Sequence, residues 1–228
     1  MPRWTGQVQL PMAPWQRVLY RSVRSLVGGF SRVFWRVRIS GLENIPASGP
    51  FILSPVHRSN IDTPLVALMG RRTLRFMGKD SMWKYGISDW FFTSMGGFPV
   101  HRGLPDRDAL RSCERLLADG QALVIFPEGT RRSGPVVDEL FEGPAYLAAK
   151  LQVPIVPVGI GGSEGAMPKG RRGIRPVKVS IIVGEPIRPP APTESGRVGR
   201  KGVRALSDEL RQRLQELFDQ AQADVGAR

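Results

Sequence analysis

The sequence predicts an α/β domain, one sheet flanked by helices, preceded by an amphipathic N-terminal helical segment. Three observations predict it. The 228 residues suit one domain of ordinary size, and 41% apolar with 23% charged residues is enough to bury a full core. From residue 46 onward, short apolar runs alternate with stretches of helical period. The first forty residues carry a helical pattern of their own, and the first acid in the chain is Glu43.

Taken in order, residues 14–38 open the chain. Trp15, Val18, Leu19, Val23, Leu26, Val27, Phe30, Val33 and Phe34 fall within about half a helical wheel, with Arg17, Arg21, Arg24 and Arg32 opposite. Gly28 and Gly29 weaken this helix by about 1 kcal/mol each relative to alanine and mark an expected bend. Two roles stay open for it: lying in a membrane interface, or packing on the domain's own core with a solvated arginine face. Strands are expected at 37–40, 51–55, 73–77, 98–101, 122–126, 155–160 and 177–183, and helices at 61–69, 83–94, 106–118, 140–151 and 198–221. The Pro-, Gly- and Ser-rich stretch 186–202 reads as a linker to the last helix. Three segments are therefore expected: 1–40 as an amphipathic helical segment, a core of 41–185, and 186–228 as linker and C-terminal helix.

Charge and cysteine count exclude several classes. Lys and Arg number 33 against 20 Asp and Glu, a net charge of +13, so phosphate-bearing partners are expected. The lone Cys113 excludes a disulfide framework and fits a reducing compartment, and one Cys with two His excludes a zinc site. Uncharged runs reach only about fourteen residues, short of the roughly 20 a spanning helix needs, and no secretory signal is evident. A nucleic-acid-binding module is disfavoured because the aromatics sit in apolar stripes rather than alternating with basic residues.

Histidine chemistry must use His57 or His101. His57 and Asp62 stand five apart, between an expected strand and an expected helix, so they meet only across a bend. A carboxylate on one imidazole nitrogen would fix the tautomer and free the other nitrogen as a general base. Ser59 and Asp62 equally resemble a helix-capping pair. His101 and Asp106 share the spacing, but Gly103 and Pro105 intervene and Asp106 reads as a helix N-cap. Phe-Pro-Glu-Gly-Thr-Arg at 126–131 follows an apolar strand, with Gly129 permitting a sharp turn and Arg131 placed to meet a phosphate. Residues 96–102 similarly deliver Arg102. Ser163, within a G-x-S-x-G pattern, reads as a loop residue: no histidine follows position 101, and Pro168 and Gly170 oppose a following helix.

In this order the motifs resemble the 1-acylglycerol-3-phosphate acyltransferase family of the glycerolipid pathway. The blocks are His57, Ser59 and Asp62; residues 96–102; the segment 126–131; and the Val-Pro-Ile-Val-Pro-Val strand at 153–158. Lys79 falls where the family commonly has a lysine, while Pro99 and His101 depart from the usual second block. The matching region runs from about residue 41 to 185.

The resemblance implies a glycerolphosphate-acyltransferase-like fold with a membrane-associated helical motif, and no cofactor or metal. It implies acyl transfer from an acyl-CoA or acyl-carrier-protein thioester to a lysophospholipid hydroxyl, giving phosphatidic acid. His57 would be the base and Asp62 its orienting partner. Lys79, Arg102 and Arg131 would bind the acceptor phosphate, and Glu128, Gly129 and Thr130 would shape the glycerol pocket. Residues 153–158 would form core or line the acyl channel. Glycerol 3-phosphate, another lysophospholipid or a glycolipid are alternative acceptors. The partners expected are the donor, the acceptor and an anionic membrane surface, not nucleic acid, with the chain peripheral on the cytoplasmic face of the plasma membrane.

Overall fold

The computed structural model describes residues 12–70, 72–100, 107–167, 173–193 and 196–226. Helix α1 (Pro14–Phe34) starts on a proline that needs no N–H partner, while the Ala13 N–H donates to Gln16 Oε1 at 2.8 Å. It runs unbroken through Gly28 and Gly29, so the expected bend is absent; Gly28 is buried beside Leu68 of the second helix. The helix stops short of residue 38 because Arg36 takes a left-handed turn at φ 46°, which sends the chain into β1 (Arg38–Ser40).

The strands that follow are β2 (Phe51–Pro55), β3 (Leu74–Lys79), β4 (Gly97–Val100), β5 (Ala122–Val124), β6 (Ile155–Gly161) and β7 (Ser180–Val183). They form one seven-stranded sheet in the order β1-β7-β6-β2-β5-β3-β4, parallel at every pair except β6–β7. Every residue of β2, β5 and β6 is buried, the unbroken apolar pattern of strands covered on both faces. The strand at 153–158 is therefore core, and none of its residues lines the cleft that His57 borders.

Between the strands lie α2 (Asp62–Met69), α3 (Gly86–Ser94), α4 (Arg107–Ala118), α5 (Gly143–Leu151), the single turn α6 (Ser163–Ala166) and α7 (Arg200–Val225). Boundaries move where side chains compete with the period. Residues 80–83 form a 3-10 turn rather than the start of α3, because the Trp83 ring covers Gly78 and Gly97 and its indole N–H donates to Thr93 at 3.1 Å. Strand β5 ends two residues early, before Pro127. Helix α5 starts three residues late, because the Phe141 N–H is taken by the Pro127 carbonyl at 2.9 Å. Ser163, expected in a loop, begins α6.

Helices α4, α5 and α7 pack side by side on the sheet, and α1, α2 and α3 pack on one another as a second group. Helix α7 buries Val203, Leu206, Leu210, Leu214 and Phe218 and lies against β6 where Gly159 and Gly161 leave no side chain in the way. Strand β1, from the N-terminal segment, is paired into the sheet beside β7.

Candidate active site

The parallel strands β2, β3 and β5 end on one edge of the sheet, and the predicted residues gather there. His57 follows β2, Lys79 is the last residue of β3, and residues 126–131 follow β5. Carboxyl ends of parallel strands are where open α/β sheets bind ligands. Arg102, His101 and Asp106 lie outside the described residues.

Between β2 and α2 the chain wraps around one carboxylate oxygen. Asp62 Oδ2 accepts from His57 Nδ1 at 3.0 Å and from the backbone N–H groups of Arg58 and Ser59, both at 2.7 Å. Asp62 is fully buried, and its Oδ1 has no partner among the described residues. One oxygen thus ties down the bend that enters α2 and accepts the hydrogen bond of the imidazole, while the N-cap of α2 is Ile61 and makes no side-chain cap. An Nδ1–H held in this way leaves Nε2 as the basic nitrogen. Among the described residues nothing bonds Nε2. The ring lies against Phe126 with centroids 4.1 Å apart, and His57 is 9% exposed.

His57 borders a cleft of about 560 Å³ whose walls are mostly apolar, among them Val27, Phe76, Met82, Trp83 and Phe92. Among the described residues its cations are Lys79, Arg131 and Arg24 of α1. Arg24 also donates to the Gly70 carbonyl, and Tyr20 beside it accepts from the Leu74 N–H at 3.4 Å, so α1 is one wall of the cleft. Burial raises the Tyr20 pKa, with the Leu74 hydrogen bond and Arg24 acting against it.

The turn after β5 is built around Gly129 and the buried Glu128. Gly129, at φ 66°, is required in the left-handed region, and an added Cβ would strike the Phe141 ring at 2.4 Å. Neither Glu128, Gly129 nor Thr130 lines the cleft. Glu128 is fully buried: Oε2 accepts the His57 N–H at 2.8 Å, and Arg58 Nη1 donates to Oε1 at 2.6 Å and Oε2 at 2.8 Å. Arg58, 1% exposed, was not singled out from sequence. A signal was available, since it directly follows a run, 44–57, that holds no Lys, Arg, Asp or Glu. Among the described residues no cluster of three or more His, Cys, Asp or Glu is arranged to hold a metal.

A family model described as Acyltransferase matches residues 36–161, just over half the chain. The chain is 31% identical over 179 residues to a chloroplastic 1-acyl-sn-glycerol-3-phosphate acyltransferase of Arabidopsis thaliana, covering 76% of this chain and 50% of that protein. It is 26% identical to the 1-acyl-sn-glycerol-3-phosphate acyltransferase of Bacillus subtilis (strain 168), covering 79% of this chain and 87% of that one. The chain spans about half the length of the chloroplastic relatives it matches. Among solved structures, the 1-acyl-sn-glycerophosphate acyltransferase PlsC of Thermotoga maritima is similar, with a TM-score of 0.74 at 26% identity, covering 94% of this chain and 85% of that one.

Proposed function

The chain belongs to the acyltransferase family, and from that premise we propose that it moves a fatty acyl group from a thioester donor to the free hydroxyl of 1-acylglycerol 3-phosphate, giving phosphatidic acid. The observation that carries this reading is the His57–Asp62 pair at the wall of an apolar cleft that also holds Lys79 and Arg131. His57 Nε2 takes the hydroxyl proton as the oxygen attacks the thioester carbonyl. The tetrahedral adduct then collapses, the C–S bond breaks, and the departing thiolate takes the proton back from the imidazolium. Asp62 holds the tautomer and offsets the transient positive charge. The apolar walls suit an acyl chain, and the cations suit a phosphomonoester. Acyl-CoA and acyl-carrier protein are both suitable donors, and Arg102 would add a further cation. The deciding experiment offers the purified protein several lyso-acceptors with both donor types and identifies products by mass spectrometry. Phosphatidic acid formed only from 1-acylglycerol 3-phosphate is expected; acylation of glycerol 3-phosphate, another lysophospholipid or a glycolipid instead would reject the acceptor assignment.

Arg131 is half-buried on the cleft wall. Replacing it with lysine keeps the charge but loses the planar fork that grips phosphate in two places. Arg131→Lys is expected to raise the acceptor KM about tenfold, the worth of one good charge-assisted hydrogen bond, with donor KM little changed. Steady-state kinetics with each substrate varied in turn checks this.

The proposed site of action is the cytoplasmic face of the plasma membrane, with the chain held peripherally on anionic lipid. Support comes from α1, whose buried face is Gln16, Tyr20, Gly28 and Ser31 while Trp15, Leu26 and Val33 are 50%, 75% and 83% exposed. The domain covers only one edge of the apolar stripe, so the stripe exceeds what core packing needs. Trp15 stacks on the exposed Trp90 of α3 at 6.2 Å, extending the patch beside the cleft. Among the described residues no helix is long and apolar enough to cross a membrane. The net charge of +13 matches the anionic cytoplasmic leaflet. Deleting α1 is a poor test because it removes the buried Tyr20. Leu26→Glu with Val33→Glu changes exposed positions only, and flotation with anionic vesicles should show binding lost at unchanged melting temperature.

A further inference from the structure

A buried guanidinium carries five N–H donors and needs acceptors for them. Arg58 finds them on three sides. Nη1 donates to both oxygens of Glu128 and, at 3.2 Å, to the carbonyl of His57. Nε donates to the Gly134 carbonyl at 3.2 Å and Nη2 to the Val136 carbonyl at 3.0 Å. Its flat face lies 4.8 Å from the centre of the Phe218 ring of α7. Buried ion pairs are seldom more stabilising than apolar side chains of the same volume, so stability alone does not account for this one. Its position does. Glu128 takes the N–H of His57, while Arg58 and the Arg132 N–H, at 2.9 Å, take the carbonyl of the same residue. The peptide groups on both sides of His57 are thereby fixed.

We propose that Arg58 and Glu128 are positioning residues, a buried pair that holds the backbone of His57 so that its ring stays on Asp62, and that Arg58 also ties the loop carrying Arg131 to that base. Neither residue touches substrate in this scheme. Glu128 accordingly moves from the glycerol pocket to the scaffold behind the base. The inference rests on the acyl-transfer reading for its kinetic consequence but not for its structural one.

Two variants separate its parts. Glu128→Gln keeps an oxygen for one donor but gives up the charge and one acceptor, while Arg58 keeps its bonds to Gly134 and Val136. A displacement of about 1 Å at a reacting group costs on the order of 10²-fold, so kcat should fall by that order with the acceptor KM within about twofold of wild type. Arg58→Lys supplies a point charge to Glu128 but cannot span to the loop carbonyls. Its kcat should fall similarly and its acceptor KM should also rise. With only two histidines in the chain, a His101→Gln background leaves a single imidazole for ¹⁵N NMR. His57 should appear as the fixed Nδ1–H tautomer, and as a mixture of tautomers in Glu128→Gln. Melting temperature and circular dichroism report folding, and if Arg58→Lys does not fold, Glu128→Gln decides.

A Glu128→Gln variant with raised acceptor KM and wild-type kcat would return Glu128 to the substrate pocket and overturn the proposal. So would wild-type kcat and an unaltered tautomer in folded variants. If the wild type itself transfers no acyl group, the functional reading fails and the tautomer measurement alone decides this one.

Discussion

His57→Ala is expected to abolish acyl transfer while leaving the protein folded. The backbone contacts of residue 57 to Glu128, Arg58 and Arg132 do not need its side chain, so alanine keeps the local scaffold. What alanine loses is the imidazole nitrogen proposed to take the hydroxyl proton, and a placed general base is worth about 10²–10⁴-fold, or roughly 3–5 kcal/mol of barrier. Asp62→Asn tests the orienting role separately. If the amide oxygen occupies the Oδ2 site, its NH₂ group falls where Oδ1 is buried without a partner among the described residues, and the negative charge is gone. If the amide flips, it presents N–H to Nδ1 and drives the proton onto Nε2, removing the base; in a hydrolytic triad that error costs about 10⁴-fold. Either arrangement predicts a severe loss in kcat, checked by the same product assay beside a melting curve. His101→Ala is expected to retain substantial activity, and a dead His101 variant beside an active His57 variant would reverse the assignment.

The parts of this site that were legible in the sequence are those set by local order. His57 and Asp62 meet because a strand, a bend and a helix follow one another within residues 51–69, and the strand and helix were visible as a run and a period. The buried strands β2 and β6 announced themselves as unbroken apolar runs. Glu128 was read with the glycerol pocket, and its Pro-Glu-Gly context carries no sign of its burial or its ion pair. Only its partner, seventy residues earlier, shows that it is buried. The helical wheel of α1 found the apolar stripe but not which way it faces, since the buried edge carries the polar Gln16 and Ser31. The position of α7 was likewise illegible, because it depends on backbone approaching backbone across sixty residues.

That approach supplies the largest expected change in stability. Gly161 carries no Cβ where one would sit 2.1 Å from the Ala221 carbonyl oxygen and 2.2 Å from its carbonyl carbon. These are backbone atoms of α7, which cannot rotate aside as a side chain can. At Gly159 the same addition meets the Leu217 backbone at 2.3 Å. Gly161→Ala must therefore lift the helix, loosening the Leu214, Phe218 and Ala221 contacts beneath it. Overpacking of this kind costs about 1–3 kcal/mol, and more where nothing can yield; about 3 kcal/mol corresponds to a melting temperature lower by roughly 6–12 °C in a chain of this length. The loss should reach the active site as well. Phe218 lies under the guanidinium of Arg58, and Gln215 of α7 accepts from the Val137 N–H at 2.7 Å and donates to the Pro135 carbonyl at 2.9 Å, in the loop that follows Arg131. Gly29→Ala is the counterpart: its Cβ meets nothing within 4 Å in the middle of α1, and removing a helical glycine should stabilise by about 1 kcal/mol. Calorimetry on both variants with activity measured at 25 °C distinguishes the outcomes. A Gly161→Ala protein as stable as wild type would mean that α7 does not lie on β6 as closely as these distances require.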